Sequence, residues 1–123
     1  MNGSEQESSA LCTSVICRIA RIARLNDQLR MHQTGGRILF TRGVGFLAVG
    51  TSHELLKVIA AFDTFDEEND PHGERDFGMV TYLDQEIFWK IDYFDERLEF
   101  GSEDPADPEK TTRVMTIMLA SEY

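Results

Sequence analysis

Positive charge is scarce in this chain: twelve lysines and arginines stand against twenty-two aspartates and glutamates in 123 residues, a net charge of −10. The shortage is local. Residues 1–42 hold Arg18, Arg21, Arg24, Arg30, Arg37 and Arg42 against Glu5, Glu7 and Asp27, a balance of +3, whereas residues 43–123 carry −13. Phosphate affinity comes chiefly from Lys and Arg, so an acidic surface of this size disfavours direct binding to nucleic acid. It suits a basic protein partner, a metal cation, or simple solubility.

Cysteine is nearly absent as well. Cys12 and Cys17 both fall in what reads as one helix, about 140° apart around its axis. No disulfide framework or zinc module follows from two such residues, and they read as free thiols. Long hydrophobic runs are missing: no apolar stretch approaches the roughly 20 residues that cross a bilayer, and MNGSEQESSA lacks the basic start of a signal peptide. A cytoplasmic protein without a membrane partner is expected. There is no repeat, low-complexity tract or Pro/Gly/Ser-rich linker, so one domain is expected over residues 10–123, with residues 1–9 a flexible N-terminus. Gly35, Gly36, Gly43, Gly45 and Gly50 fit neither a phosphate-binding loop nor a dinucleotide fingerprint. No G-x-S-x-G elbow occurs, and neither cysteine has a histidine nearby in sequence. No catalytic residue and no cofactor are indicated by these patterns.

What is present is the composition of a packed domain, 41% apolar and 10% aromatic. Leu11, Val15, Ile19, Ile22 and Leu29 recur at helical spacing and predict an amphipathic helix over 10–32, ended by Gly35-Gly36. Arg37–Arg42 reads as a short strand, followed by a turn or irregular loop through the glycines at 43, 45 and 50. Thr51 or Ser52 suits the cap of a second helix with Leu55, Leu56, Val58, Ile59 and Phe62 on its buried side, ending near 63–65. Phe77–Leu83 and Ile87–Phe94 read as a hairpin joined at Asp84-Gln85, with Ile87, Trp89, Ile91 and Tyr93 on one face and Trp89 anchoring the core. A third short strand is expected at 98–100, and a C-terminal helix over 109–121 starting beside Pro108. The expected fold is α+β: a three- to four-stranded, mainly antiparallel sheet, a β-meander, packed by three helices.

NDPHGERDFG (69–78), FWKIDYFD (88–95) and DPADPEKTTRVMTIMLASEY (104–123) make the chain resemble a family of small bacterial proteins known as domain of unknown function 3768, often carried on plasmids and other mobile elements. IARLNDQLR (22–30) and GRILFTRGV (36–44) extend the resemblance to nearly the whole chain after residue 15. It implies no catalytic or binding residues. Its mobile-element setting implies an accessory role, such as countering a host defence system.

Two constellations invite chemistry. Asp70, His72, Glu74 and Asp76 alternate and would project from one side of an extended segment. Carboxylates and a neutral imidazole suit a divalent metal or an acid–base pair. This gives one alternative reading, a small metal-dependent or acid–base enzyme centred on His72, Glu74 and Asp76. The competing explanation is turn chemistry from Asn69, Asp70, Pro71 and Gly73, with Arg75 paired to a neighbouring acid. Counting from Asp66 as an EF-hand puts Pro71 and Phe77 where Gly and Glu are needed. Lys90 and Asp92 share a strand face and read as a salt bridge; His32 and His53 are isolated.

The other constellation is diffuse. Residues 66–76 and 92–109 form two acidic surfaces, with Asp66, Glu67, Glu68, Asp70, Glu74, Asp76, Asp95, Glu96, Glu99, Glu103 and Asp104 as the candidate binding residues. Carboxylates spaced on a rigid fold imitate nucleic acid and occupy the basic groove of a nucleic-acid-binding protein. The main expectation is therefore a non-enzymatic inhibitor that docks on a basic or nucleic-acid-binding protein, of anti-CRISPR or anti-restriction type. A second copy is a further candidate partner, through the Arg stripe of the N-terminal helix against the acidic half of its neighbour.

Overall fold

The computed structural model describes residues 14–123. Helix α1 (Val15–His32) starts where Ser14 accepts a hydrogen bond from the Cys17 amide and stops where Gln33 turns left-handed, its N–H donating to the Leu29 carbonyl. The expected flexible segment 1–9 and the expected helical start at residue 10 lie outside the described residues. Cys17 is disulfide-bonded rather than a free thiol. It sits in the first turn of α1, which begins after Ser14; Cys12 lies outside the described residues.

β1 (Gly36–Phe40) follows. The glycine-rich stretch after it is a short helix, α2 (Arg42–Leu47), capped by the Thr41 side chain, where a turn or loop was expected. Gly43 and Gly45 lower helix propensity, but the cap and the burial of Val44 offset that. α3 (Ser52–Ala60) has Thr51 at its N-cap position, without a side-chain capping bond. It ends before residues 63–65 because the buried Arg30 guanidinium donates to the carbonyls of Ile59, Ala60 and Phe62, supplying the partners that the end of a helix lacks.

β2 (Phe77–Tyr82) and β3 (Gln85–Phe94) form the expected hairpin. Its tight turn is Leu83-Asp84, both at positive φ, as a two-residue hairpin loop requires. Residues 98–100 are not a strand; the chain makes only one isolated bridge there, Phe94 with Gly101. The expected C-terminal helix is instead a strand, β4 (Thr112–Leu119), ending in a 3-10 turn over Ala120–Glu122. TRVMTIML is apolar on both faces because β4 lies between β1 and β3. A short run buried on both sides carries no period that separates strand from helix, and its β-branched Thr112, Val114, Thr116 and Ile117 favour the strand.

The sheet order is β1-β4-β3-β2. It is mixed: β2-β3-β4 is an antiparallel meander and β1 lies parallel to β4. The architecture is α+β with three helices, although α2 takes the place of the expected C-terminal helix. Strand residues in the core, Val80, Ile87, Trp89, Ile91, Met115 and Ile117, all point to one face, where Leu29, Val44, Leu55 and Ile59 of the helices meet them. Trp89 is fully buried, with Phe62 and Phe65 edge-on at 5.6 and 6.1 Å. Such pairs contribute about 0.5–1.5 kcal/mol each beyond area burial. Gly78 is fixed by this ring: a Cβ there would come within 2.6 Å of it. Among the described residues, no helix is long and apolar enough to cross a membrane.

Candidate functional site

The register brings the acidic segments together. Phe77 at the start of β2 pairs with Lys90, and Thr112 at the start of β4 pairs with Phe94 at the end of β3. The loop entering β2 (61–76) and the loop joining β3 to β4 (95–111) therefore emerge at the same end of the sheet. They hold fourteen carboxylates against Arg75, Arg97 and Lys110, so most of the molecule's acidity lies at one end.

Within this end, aspartates and glutamates divide the work. Asp66 accepts the amides of Glu68 and Asn69, Asp70 that of Arg75, Asp95 those of Arg97 and Glu99, and Asp107 that of Glu109. The short Asp side chain reaches its own backbone two to five residues on and builds the loop. Glu67, Glu68, Glu96, Glu99, Glu103 and Glu109 are exposed and carry charge outward. The amide of Glu99 first, then those of Phe100, Arg97 and Leu98, hold the Asp95 carboxyl below the ordinary carboxylate range. The depression over this loop, about 450 Å³, is lined by Asp95, Glu96, Arg97, Gly101, Glu103 and Lys110.

Both loops are braced by α1. Arg18 donates to Asp104 at 2.6 Å, and that bond first of all holds the Asp104 carboxyl low. Arg75 reaches Asp27 at 2.7 Å, and Asp27 also holds Arg30 at 3.1 Å. Arg18, from the Arg stripe, and Arg30 thus bind groups of their own chain.

At the centre lies a buried polar network that sequence reading missed. Asn26, fully buried, donates to the Glu74 carbonyl at 2.9 Å and to the Tyr93 hydroxyl at 2.8 Å, and accepts from Arg113 Nε at 2.8 Å. Tyr93 in turn donates to the Glu74 carboxylate at 2.8 Å. Arg113 stacks on the Tyr93 ring at 5.2 Å and donates to the Pro105 carbonyl. One helix side chain thereby ties the 61–76 loop to β3 and β4, and Arg113 ties the 95–111 loop to them. Burial pushes the Tyr93 hydroxyl up and lowers the Arg113 pKa. The signals were Asn26 on the apolar stripe between Ile22 and Leu29, and Arg113 opening an apolar run.

The alternation of Asp70, His72, Glu74 and Asp76 does not survive folding. Residues 71–74 turn, with Gly73 and Arg75 at positive φ, so the segment is not the extended one that the alternation assumed. Asp70 and Glu74 are engaged as above, and His72 is exposed. Among the described residues, no group of three or more His, Cys, Asp or Glu is placed to hold a metal ion. Asp76, half-buried, is raised above the ordinary value by loss of water and then by Glu74. Lys90 and Asp92 pair at 3.5 Å on the sheet face away from the helices.

No curated protein and no solved structure matches the chain. Residues 40–122, from the last residue of β1 through the 3-10 turn and including both acidic loops, match the model of one family, and the chain belongs to it: the family described as protein of unknown function (DUF3768).

Proposed function

We propose that the protein is a non-enzymatic binding protein that presents the acidic end of its sheet to a basic, nucleic-acid-binding protein and blocks its nucleic-acid groove. One observation carries this: two acidic loops distant in sequence leave the sheet at the same end, with Asp66, Asp70, Asp95 and Asp107 bound into the loop frame and Glu67, Glu68, Glu96, Glu99, Glu103 and Glu109 facing solvent. Fixed loops present carboxylates at set spacings, which a mimic of phosphates needs and general solubility does not. Direct binding to nucleic acid would set like charges together. An inhibitor of a host defence complex, of anti-CRISPR or anti-restriction type and carried on a mobile element, is the setting that fits, within the cytoplasm.

The test is capture from a lysate of the host on immobilised protein, with elution by rising salt. Nucleic-acid-binding proteins whose own nucleic-acid binding is blocked by the added protein are expected in the salt eluate. A Glu67→Gln, Glu68→Gln, Glu96→Gln variant should lose them. An eluate without such proteins, or unchanged by the variant, would sink the proposal.

A further inference from the structure

An apolar groove of about 380 Å³ runs between α1 and the turn at 71–74. Ile16, Ile19, Ala20 and Ala23 line it from the helix and Gly73 from the turn, and a Cβ on Gly73 would lie 3.4 Å from Ile19. Ile16, at its start, is 82% exposed. Arg24 stands farther along, beside the Arg75–Asp27 ion pair, and has no acid partner among the described residues. An exposed apolar groove with an unpaired cation at its rim suits an apolar segment that also carries an acid.

We infer that the groove seats the chain's own segment 5–11, strapped to α1 by a Cys12–Cys17 disulfide. Cys17 is disulfide-bonded, and the sequence has one other cysteine, Cys12. Bridged cysteines have Cα atoms about 4.4–6.8 Å apart, whereas residues five apart in a continuous helix are separated by about 9 Å and lie on different sides of it. The bond therefore requires the helix to stop between them, and α1 does begin at Val15, with Ser14 extended at φ −78° and ψ 153°. Cys12 is drawn back beside the first turn, so the residues before it set out along the flank of α1. Cys17, Ala20 and Arg24 follow one another at helical spacing on that flank. The tether thus stands at the edge of the groove, about 10 Å from Arg24 along the axis. Glu7 is five residues before Cys12, a span of roughly 8 Å if helical and 16 Å if extended, which brackets that distance. Leu11 then lies over Ile16 and Ala20, and Glu7 meets Arg24. A segment tethered this close has an effective concentration on the order of millimolar, which an untethered occupant would have to match.

A seated strap is read on the chain alone, without a partner, so its failure leaves the acidic-end reading standing. The test is amide exchange of the full chain by mass spectrometry, unreduced and after dithiothreitol. The intact mass of the single chain should rise by two hydrogens on reduction. In the unreduced chain residues 5–11 should exchange roughly tenfold or more slowly than a free chain does, and reduction or Cys12→Ser should remove most of that protection. Ile16→Asp and Arg24→Glu, at exposed positions, should each weaken it with the disulfide intact, while Phe46→Glu on α2, 74% exposed, should leave it unchanged. Trp89 fluorescence checks that each variant is folded. Free-chain exchange of residues 5–11 in the unreduced protein overturns the inference, as does protection that survives both groove variants or is unchanged by reduction. So does a disulfide that joins two chains, which would put a second copy's segment in the groove.

Discussion

Asn26→Ala removes the one side chain shared by both braces of the acidic end. Three hydrogen bonds go, at 2.8 to 2.9 Å. The loss at Arg113 weighs most: its side chain is 2% exposed, so Nε is left buried without a partner, at about 1.5–3 kcal/mol for a bond to a charged group. The two donations to the Glu74 carbonyl and Tyr93 hydroxyl are neutral and only half-buried, about 0.5–1 kcal/mol each. The expected loss is roughly 2.5–5 kcal/mol, a large share of the stability of a domain this size. Tyr93→Phe keeps the Asn26–Arg113 bond and loses the hydroxyl's bonds from Asn26 and to the Glu74 carboxylate, so roughly 2–4 kcal/mol is expected. Urea unfolding followed by Trp89, the single Trp, measures both. The midpoint should fall in that order with an unchanged slope. Amide exchange in residues 69–76 should also quicken more in Asn26→Ala than in Phe46→Glu. A loss under about 1 kcal/mol for Asn26→Ala, or a larger one for Tyr93→Phe, would refute the reasoning.

Gly78→Ala places a Cβ 2.6 to 2.7 Å from three Trp89 ring atoms, and a ring held between Phe62, Phe65 and Arg30 cannot retreat. A loss of about 1–3 kcal/mol is expected, lowering the thermal midpoint by roughly 4–12 °C; an unchanged midpoint would contradict the packing. For Asp76 the folded value lies above the ordinary 3.8, first through burial and then through Glu74. The native state therefore holds that proton more tightly, and stability falls as pH rises from 3.8 through the folded value. Asp76→Asn should raise the urea midpoint at neutral pH and leave it nearly unchanged below pH 3.8; a gain confined to acid would reverse the sign. For Asp104 the folded value is lowered, by Arg18 first, so its contribution is present above 3.8 and lost as pH falls through the lowered value. Arg18→Gln should be modestly less stable at neutral pH, with the difference gone in acid.

The hairpin was legible because Ile87, Trp89, Ile91 and Tyr93 alternate with polar and half-buried neighbours, and α1 because its apolar positions keep a helical spacing. β4 was not. Val114 and Met118 on one face and Met115 and Ile117 on the other erase the alternation that marks a half-buried strand, and Pro108 imitates a helix start. At the site, the acidic loops were legible as composition, but their convergence depends on strand register, which no local pattern encodes. The DPHGERD segment misled for a related reason: alternation means a shared side only in extended backbone, and positive φ at Gly73 and Arg75 breaks it. Asn26 looked like an ordinary polar residue in a helix until β3 and β4 brought Tyr93 and Arg113 against it.

The central claim is that position, and not total charge, makes the acidic end a binding surface. It is tested most directly by the salt-dependent affinity of the captured partner for three proteins: the unaltered chain, Glu67→Gln/Glu68→Gln/Glu96→Gln, and Glu54→Gln/Asp84→Asn/Glu86→Gln. Both variants remove three negative charges, the first at the acidic end and the second away from it. The first should lose most of its affinity and flatten the salt dependence, and the second should bind as the unaltered chain does. Equal losses in both variants would contradict the claim, and so would no loss in the first.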